Sequence, residues 1–220
     1  MGLELHDVEL RLHGRVLVPR FSARVEPGEL LALMGESGSG KSSLLAWIAG
    51  LLEPPFEADG RVVIDGADIT AEPTERRRIG LLFQDDLLFP HLTVMENLLF
   101  AVPADGSRSD RRERAEAVLA RAGLSGYGSR APGSLSGGQR ARVSLLRALL
   151  AKPRALLLDE PYGRLDAALR QRMREFVRDE LREHQVAAVL VTHDAHDVPP
   201  GTPCIVLPPL PAGAAAAPDA

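Results

Sequence analysis

Residues 35–42 read Gly-Glu-Ser-Gly-Ser-Gly-Lys-Ser, directly after the apolar run Leu30–Met34 and directly before a helical stretch. Glycines let backbone N–H groups curl round an anion, and a helix N-terminus adds the positive end of a dipole. An ammonium adds a point charge, and a hydroxyl can ligate a hard divalent cation. Gly35, Glu36, Ser37, Gly38, Ser39, Gly40, Lys41, Ser42 and Ser43 are therefore expected to form a phosphate cradle, with Ser42 as a Mg²⁺ ligand. An ordinary Gly/Ser turn shares the composition but does not need strand, loop and helix in this register. Lys41 is one of only two lysines in the chain. A second group stands at the end of another apolar run, where Ala155-Leu156-Leu157-Leu158 leads into Asp159-Glu160. A buried strand ending in two carboxylates delivers them where α/β folds bind ligands. Asp159 would support Mg²⁺, usually through a water, and Glu160 would polarise an attacking water as general base. Alone, the pair also reads as a solvated strand end; beside a phosphate cradle it reads as chemistry.

Such groups must be held by a sheet. Leu3, Leu5, Val8, Leu10 and Leu12 approximate the period-two pattern of half-buried strands, and Val62 to Ile64 before Asp65-Gly66 continues it, so the first third is expected to be partly antiparallel. Short apolar runs follow at 30–33, 79–83, 155–158, 187–191 and 205–207. Helical patterns separate most of them, which predicts a mostly parallel sheet. Helices are expected over 41–51, 110–122, 137–150 and 167–183. In the last, Leu169, Met173, Phe176, Val177 and Leu181 form one apolar stripe, read as core packing. The expected fold class is α/β: a mostly parallel core sheet, an N-terminal antiparallel β lobe and a helical lobe over about 86–150. At 220 residues and 45% hydrophobic the chain can bury one sizeable core, taken as a single domain over 1–207. Residues 208–220 are Pro/Ala-rich and read as a disordered tail.

Composition excludes several classes. A net charge of -4 and a pI near 5.9 argue against a nucleic-acid backbone as partner, which needs concentrated Lys and Arg. The run Arg76-Arg77-Arg78 is expected to be a solvated face. Cys204 is the one cysteine, so no intramolecular disulfide can form, which fits a reducing compartment. Met1–Leu10 carries Glu4, Asp7 and Glu9 and does not read as the apolar core of a signal peptide. The apolar runs fall far short of the roughly 20 residues a spanning helix needs.

A further stretch, Leu135-Ser136-Gly137-Gly138-Gln139, precedes Arg140-Ala141-Arg142 and an apolar helix. A Ser-Gly-Gly turn opening a helix is a second anion site, with bare backbone N–H groups and a serine hydroxyl, although a lone turn of this kind is more often a structural cap. At these residues the chain resembles the ABC-transporter ATPase family, whose signature motif reads LSGGQ. The resemblance covers about residues 3–194 with the family's motifs in order. It implies a P-loop NTPase fold and hydrolysis of ATP with Mg²⁺. It also implies that Leu135, Ser136, Gly137, Gly138 and Gln139 grip the γ-phosphate of ATP held by the phosphate loop of a second copy, in a head-to-tail dimer.

The resemblance assigns further roles in chain order. Gln84, after the run 79–83, would sense Mg²⁺ and the attacking water, as catalytic residue and metal ligand. The following Asp85-Asp86-Leu87-Leu88-Phe89-Pro90-His91-Leu92-Thr93-Val94, then Glu96-Asn97, is similar to the segment that importer cassettes press against a permease. His193, after the run 187–191 and Thr192, matches the switch histidine at the γ-phosphate, and Asp166 matches the loop across the dimer interface. His13 occupies the position where the family often stacks an aromatic on adenine. Glu36 stands where Pro is frequent, and Gly163-Arg164 replaces the usual Ser-Ala; neither removes a catalytic group. The implied partners are two transmembrane permease subunits and, indirectly, an extracytoplasmic solute-binding protein. The implied location is the cytoplasmic face of the inner membrane. The permease-facing segment is most similar to importers that handle iron, thiamine, oxyanions and polyamines. After His193 the chain is abbreviated, so sensing through an appended regulatory domain is not expected. Two rival classes remain: a small-metabolite P-loop kinase, which has no reason to carry residues 135–139 or His193, and a non-transport cassette acting on DNA or ribosomes, which usually has two cassettes or a long coiled-coil insertion.

Overall fold

Leu3, Leu5, Val8 and Leu10 are all buried along β1 (Leu3–Leu12), the odd step from Leu5 to Val8 being absorbed by a register shift against both neighbouring strands, with Asp7 at φ +50. The computed structural model describes residues 2–83, 85–163 and 165–209; Gln84, Arg164 and residues 210–220 of the expected tail lie outside the described residues. Strand β1 pairs antiparallel with β2 (Arg15–Val25) and with β4 (Phe56–Ile64), and β5 (Ala67–Asp68) adds the last strand, in the spatial order β2-β1-β4-β5. A second, wholly parallel sheet runs β6 (Ile79–Leu82), β7 (Ala155–Asp159), β8 (Ala187–Thr192), β3 (Leu30–Met34), β9 (Cys204–Val206). This bears out the α/β class and both expected sheets.

The central strands are continuous apolar runs because both faces are covered. Ala155, Leu157, Ala187, Val189 and Val191 pack with α1 (Lys41–Ala49) and the antiparallel sheet. Leu156, Leu158, Ala188 and Leu190 pack on the other side with α5 (Gly137–Leu150) and α6 (Ala167–His184). Each fully buried leucine contributes about 2 kcal/mol by leaving water. Met173, Val177 and Leu181 bury the stripe on α6, with Leu169 and Phe176 half-buried against it. A third cluster joins α3 (Val94–Ala101), α4 (Arg108–Arg121) and the other face of α5 through Val94, Leu98, Ala115, Leu119, Val143 and Leu146. No described helix is long and apolar enough to cross a membrane.

Local chemistry sets several boundaries. Thr93 with Glu96, Ser107 with Asp110 and Ser136 with Gln139 form reciprocal capping boxes that start α3, α4 and α5. The Ser107 box starts α4 two residues before the expected 110. Strand β2 escapes the simple alternation because only Leu17, Val18 and Val25 are buried along its length.

Arg77 corrects the reading of 76–78 as a solvated face. Arg76 and Arg78 are exposed, but Arg77, the last residue of α2 (Thr74–Arg77), is only 5% exposed. Its Nη1 donates to the carbonyls of Trp47 and Ile48 at 2.8 and 2.9 Å, Nε to Glu72 at 2.8 Å and Nη2 to Thr70 at 2.6 Å. A cation thus satisfies carbonyls in the last turn of α1, where the helix dipole favours it. Burial pulls the guanidinium below its usual range, with Glu72 opposing. Only glycine fits beside it: a Cβ on Gly50, at φ +79, would lie 2.7 Å from Arg77 Nε. Arg77→Met keeps the stem but leaves these carbonyls unsatisfied, and urea denaturation should show a loss of about 3 kcal/mol. Arg76→Met and Arg78→Met should stay within about 0.5 kcal/mol; equal effects at all three positions would contradict the strut role of Arg77.

Candidate nucleotide-binding site

Three adjacent strands, β7, β8 and β3, end at the same edge of the parallel sheet, and each runs into one of the sequence motifs. The loop after β3 carries Gly35–Gly40, and α1 starts at Lys41. Its shape depends on glycine twice. Gly40, at φ +87, is the N-cap of α1, and a Cβ there would lie 2.8 Å from the Leu17 side chain. A Cβ at Gly35 would lie 2.6 Å from Ser39 Oγ. Because Gly40 has no side chain, the first-turn amides of α1 receive no side-chain cap. Ser39 is 1% exposed, and among the described residues its hydroxyl has no hydrogen-bond partner. Lys41 is 5% exposed, and its Nζ donates to the carbonyls of Gly35 at 2.9 Å and Glu36 at 2.7 Å. Uncapped amides, an orphaned buried hydroxyl and a buried ammonium held only by loop carbonyls form a donor-rich concavity suited to a polyphosphate. Glu36, Ser37, Gly38 and Ser42 are exposed around it, and Ser43 is half-buried.

The carboxylates come from the end of β7, two strands away across β8. Asp159 Oδ1 accepts from Ser42 Oγ at 3.1 Å, so two of the three expected Mg²⁺ ligands already meet. Burial raises the Asp159 carboxyl above its usual range; the Ser42 hydroxyl opposes this, Glu160 adds to it and Lys41 opposes it. Burial likewise lowers the Lys41 ammonium, against the pull of Glu160 and Asp159. An acid that resists ionising and hydroxyl and carboxylate oxygens in contact suit a hard dication, which would repay the desolvation of both. Glu160 sits at φ +45, a strained conformation for a side-chain-bearing residue, with its N–H on Val191 O at 3.0 Å. Its Oε1 lies 3.0 Å from His193 Nδ1, so the ends of β7 and β8 bring the proposed base and switch histidine into contact. Both side chains reach solvent.

The signature turn lies elsewhere on the chain. Ser136 Oγ accepts from Gln139 N–H at 3.3 Å, and Gln139 Oε1 accepts from Ser136 N–H at 2.9 Å. Leu135 and Gly138 are buried; Ser136 and Gly137 are exposed. A Cβ on Gly138 would lie 2.1 Å from Leu169 Cδ2, so packing against α6 requires that glycine. Gly137 is different: a Cβ there would meet nothing closer than Arg140 Nη2 at 3.9 Å. Among the described residues, no hydrogen bond joins this turn to the phosphate loop. His13 is exposed in the β1–β2 turn at φ +50, on the hairpin whose Leu17 and Val18 press on Gly40. Asp166 caps α6, accepting from Leu169 N–H at 2.9 Å. Gln84 lies outside the described residues.

Sequence reasoning missed the side chains that tie these parts together. Arg140 Nε donates to Asp86 at 2.7 Å, Ser144 Oγ to Asp86 O at 2.8 Å and Arg147 Nη1 to Leu87 O at 2.9 Å. Three turns of α5 thus hold the segment after Gln84. Asn97 is fully buried and bonds Phe89, Leu92 and Thr93 carbonyls. The spacing of 140, 144 and 147 along one helical face was the available signal.

Comparison with known proteins agrees with this layout. A family profile described as ABC transporter matches residues 18–163. The chain is 47% identical over 193 residues to the uncharacterized ABC transporter ATP-binding protein YnjD of Escherichia coli K12, covering 88% of this chain and 89% of that protein. It is 44% identical over 178 residues to the Fe(3+) ions import ATP-binding protein FbpC 1 of Rhizobium meliloti and, equally, to FbpC of Brucella abortus 2308, covering 80% of this chain. The chain spans about half the length of these two iron-import relatives. With a donor-rich loop, two strand-end carboxylates and a Ser-Gly-Gly helix start in one fold, and a family match over residues 18–163, the chain belongs to the ABC transporter family, as one of its ATP-binding, ATP-hydrolysing subunits.

Proposed function

We propose that the chain powers a bacterial solute importer by closing head to tail with a second copy around Mg-ATP. The observation that carries this reading is the convergence of Lys41, Ser42, Asp159, Glu160 and His193 at the adjacent ends of β3, β7 and β8. In it, the amides of residues 35–43 and the Lys41 ammonium hold the β- and γ-phosphates, turning from the loop carbonyls to a stronger anionic acceptor. Ser42 and Asp159 hold Mg²⁺, joined by Gln84. A bound Mg²⁺ neutralises charge on the phosphate oxygens. Glu160 orients and deprotonates the attacking water, and His193, braced on Glu160, donates to the γ-phosphate.

The second anion turn supports the dimer. Packing accounts for Gly138, but among the described residues nothing that a Cβ would meet requires glycine at Gly137, and a turn that receives a second copy's γ-phosphate would. Asp166 stands at the same interface. Two permease subunits would bear on residues 85–97, whose Leu87 and Phe100 neighbourhood is exposed. Asp86–Arg140 would carry their movement to the signature helix. Two relatives are iron-import ATP-binding proteins, which supports import. In this reading a solute-binding protein completes the importer, and the chain works at the cytoplasmic face of the inner membrane.

Purified chain should release phosphate from Mg-ATP with no acceptor added, which a kinase would not do. Lys41→Ala should weaken Mg-ATP binding on the order of 100-fold, the scale of a lost charge-assisted contact, as read by calorimetry. Retained affinity would sink the cradle assignment. If His13 stacks on adenine, His13→Ala should cost about 0.5–2 kcal/mol of ATP affinity and His13→Tyr should preserve or tighten it. Equal affinities for all three would place His13 outside the site.

A further inference from the structure

His193 is mostly solvent-exposed, yet the residues on both sides of it are locked by groups outside the nucleotide site. Thr192 is 1% exposed, and its Oγ1 donates to Asp197 Oδ2 at 2.9 Å and accepts from Asp194 N–H at 3.1 Å. Asp197 is 3% exposed and its N–H returns to Asp194 O at 3.0 Å. Both carboxylates converge on one cation. Arg170 Nη1 is ion-paired with Asp194 Oδ2 and lies 3.7 Å from Asp197 Oδ1. Two amides of α6 meanwhile fasten to the Asp166 turn: Arg170 N–H donates to Asp166 O at 2.8 Å, and Leu169 N–H to the Asp166 carboxylate. Arg170 therefore stands one helical turn from Asp166 along the backbone and one ion pair from His193 through its side chain.

The charges make this link consequential. Burial raises the Asp197 carboxyl, with Thr192 and Arg170 opposing and Asp194 adding to the rise. The His196 N–H and ring, followed by Arg170, hold Asp194 low, at about 2. Arg174 and the buried phenol of Tyr162 complete the surroundings of Asp197. Without Arg170, a buried carboxylate would face a second carboxylate with its nearest countercharge gone. The relief available is to protonate Asp197, which removes the charge that strengthens the Thr192 bond, or to expel it, which breaks that bond; either loosens the backbone on which His193 stands.

We infer that Arg170 is a positioning residue for His193 and that, through Asp166, it makes His193 responsive to the dimer interface. The inference rests on the nucleotide-site reading above. The test is steady-state Mg-ATP hydrolysis by the whole chain carrying Arg170→Met, Arg170→Lys, Asp194→Asn or His193→Ala. Misplacing a reacting group costs rate more than ground-state binding. Arg170→Met and Asp194→Asn should therefore lower kcat by roughly tenfold or more, with KM changed less than about threefold. Arg170→Lys should recover part of the loss, and the His193 ring resonances should move in Arg170→Met. Unchanged kcat in Arg170→Met, with turnover abolished in His193→Ala, would overturn the positioning role and leave the site reading standing. A parallel fall of kcat, affinity and unfolding midpoint would overturn it as purely structural. Full turnover in His193→Ala would overturn the site reading, and this inference with it.

Discussion

A partly desolvated ammonium is the feature on which the rest of the structure depends. Lys41 is held in a loop shaped by Gly35 and Gly40, with two carbonyls as acceptors and two carboxylates at the end of β7 acting on it. Placing a cation there costs desolvation energy that loop carbonyls repay only partly. The loop is kept in shape by packing: Leu17 and Val18 from the antiparallel sheet press on Gly40, while Leu44, Leu45 and Ile48 bury α1 in the first core cluster. At the far end of α1, the Arg77 guanidinium ties down the last turn. The antiparallel sheet and the 70–77 segment thereby serve the phosphate loop without contributing chemistry to it.

The parallel sheet solves a second problem, delivering acid, base and histidine from distant sequence to one place. Because β7 and β8 are in register, Asp159 pairs with Val191, and Glu160 and His193, each the first residue beyond its strand, come together. Opposite faces of those strands are covered by different helices, so the α5–α6 side can carry the signature turn and the Asp166 cap while the α1 side carries the cradle. In the proposed head-to-tail reading these are two halves of one anion site on separate surfaces, and association would complete it, coupling nucleotide binding to dimer closure by mass action.

Much of this was legible in the sequence because its motifs are local. Gly35–Ser42, Asp159-Glu160 and Leu135–Gln139 each sit at one strand end or helix start, where residue type and spacing suffice. The two sheets could be read for the same reason, from alternation in β1 and from continuous apolar runs in β7 and β8. What could not be read is non-local. Arg77 sits within three consecutive arginines, and only the fold shows that the middle one reaches the carbonyls of Trp47 and Ile48, 29 to 30 residues away. Arg170 and Asp194 are 24 residues apart, and Arg140 and Asp86 are 54 apart, with no local pattern to pair them. Helix α3 begins inside the segment that the family resemblance gives to permease docking, and the local signal for the helix itself is the Thr93–Glu96 capping box.

The claim most exposed to experiment is that the site is composite. Glu160→Gln keeps shape and hydrogen-bonding reach but loses the charge that makes a base. It should trap ATP, and ATP bound between Lys41 of one copy and Ser136 of another should hold the two together. Light scattering after size exclusion, at matched and then raised protein concentration, should show a Glu160→Gln dimer with Mg-ATP and a monomer with Mg-ADP. Adding Ser136→Arg should return the protein to monomer with its ATP affinity nearly intact. A Glu160→Gln chain that stays monomeric in saturating Mg-ATP at every concentration, or a dimer indifferent to Ser136→Arg, would contradict the account.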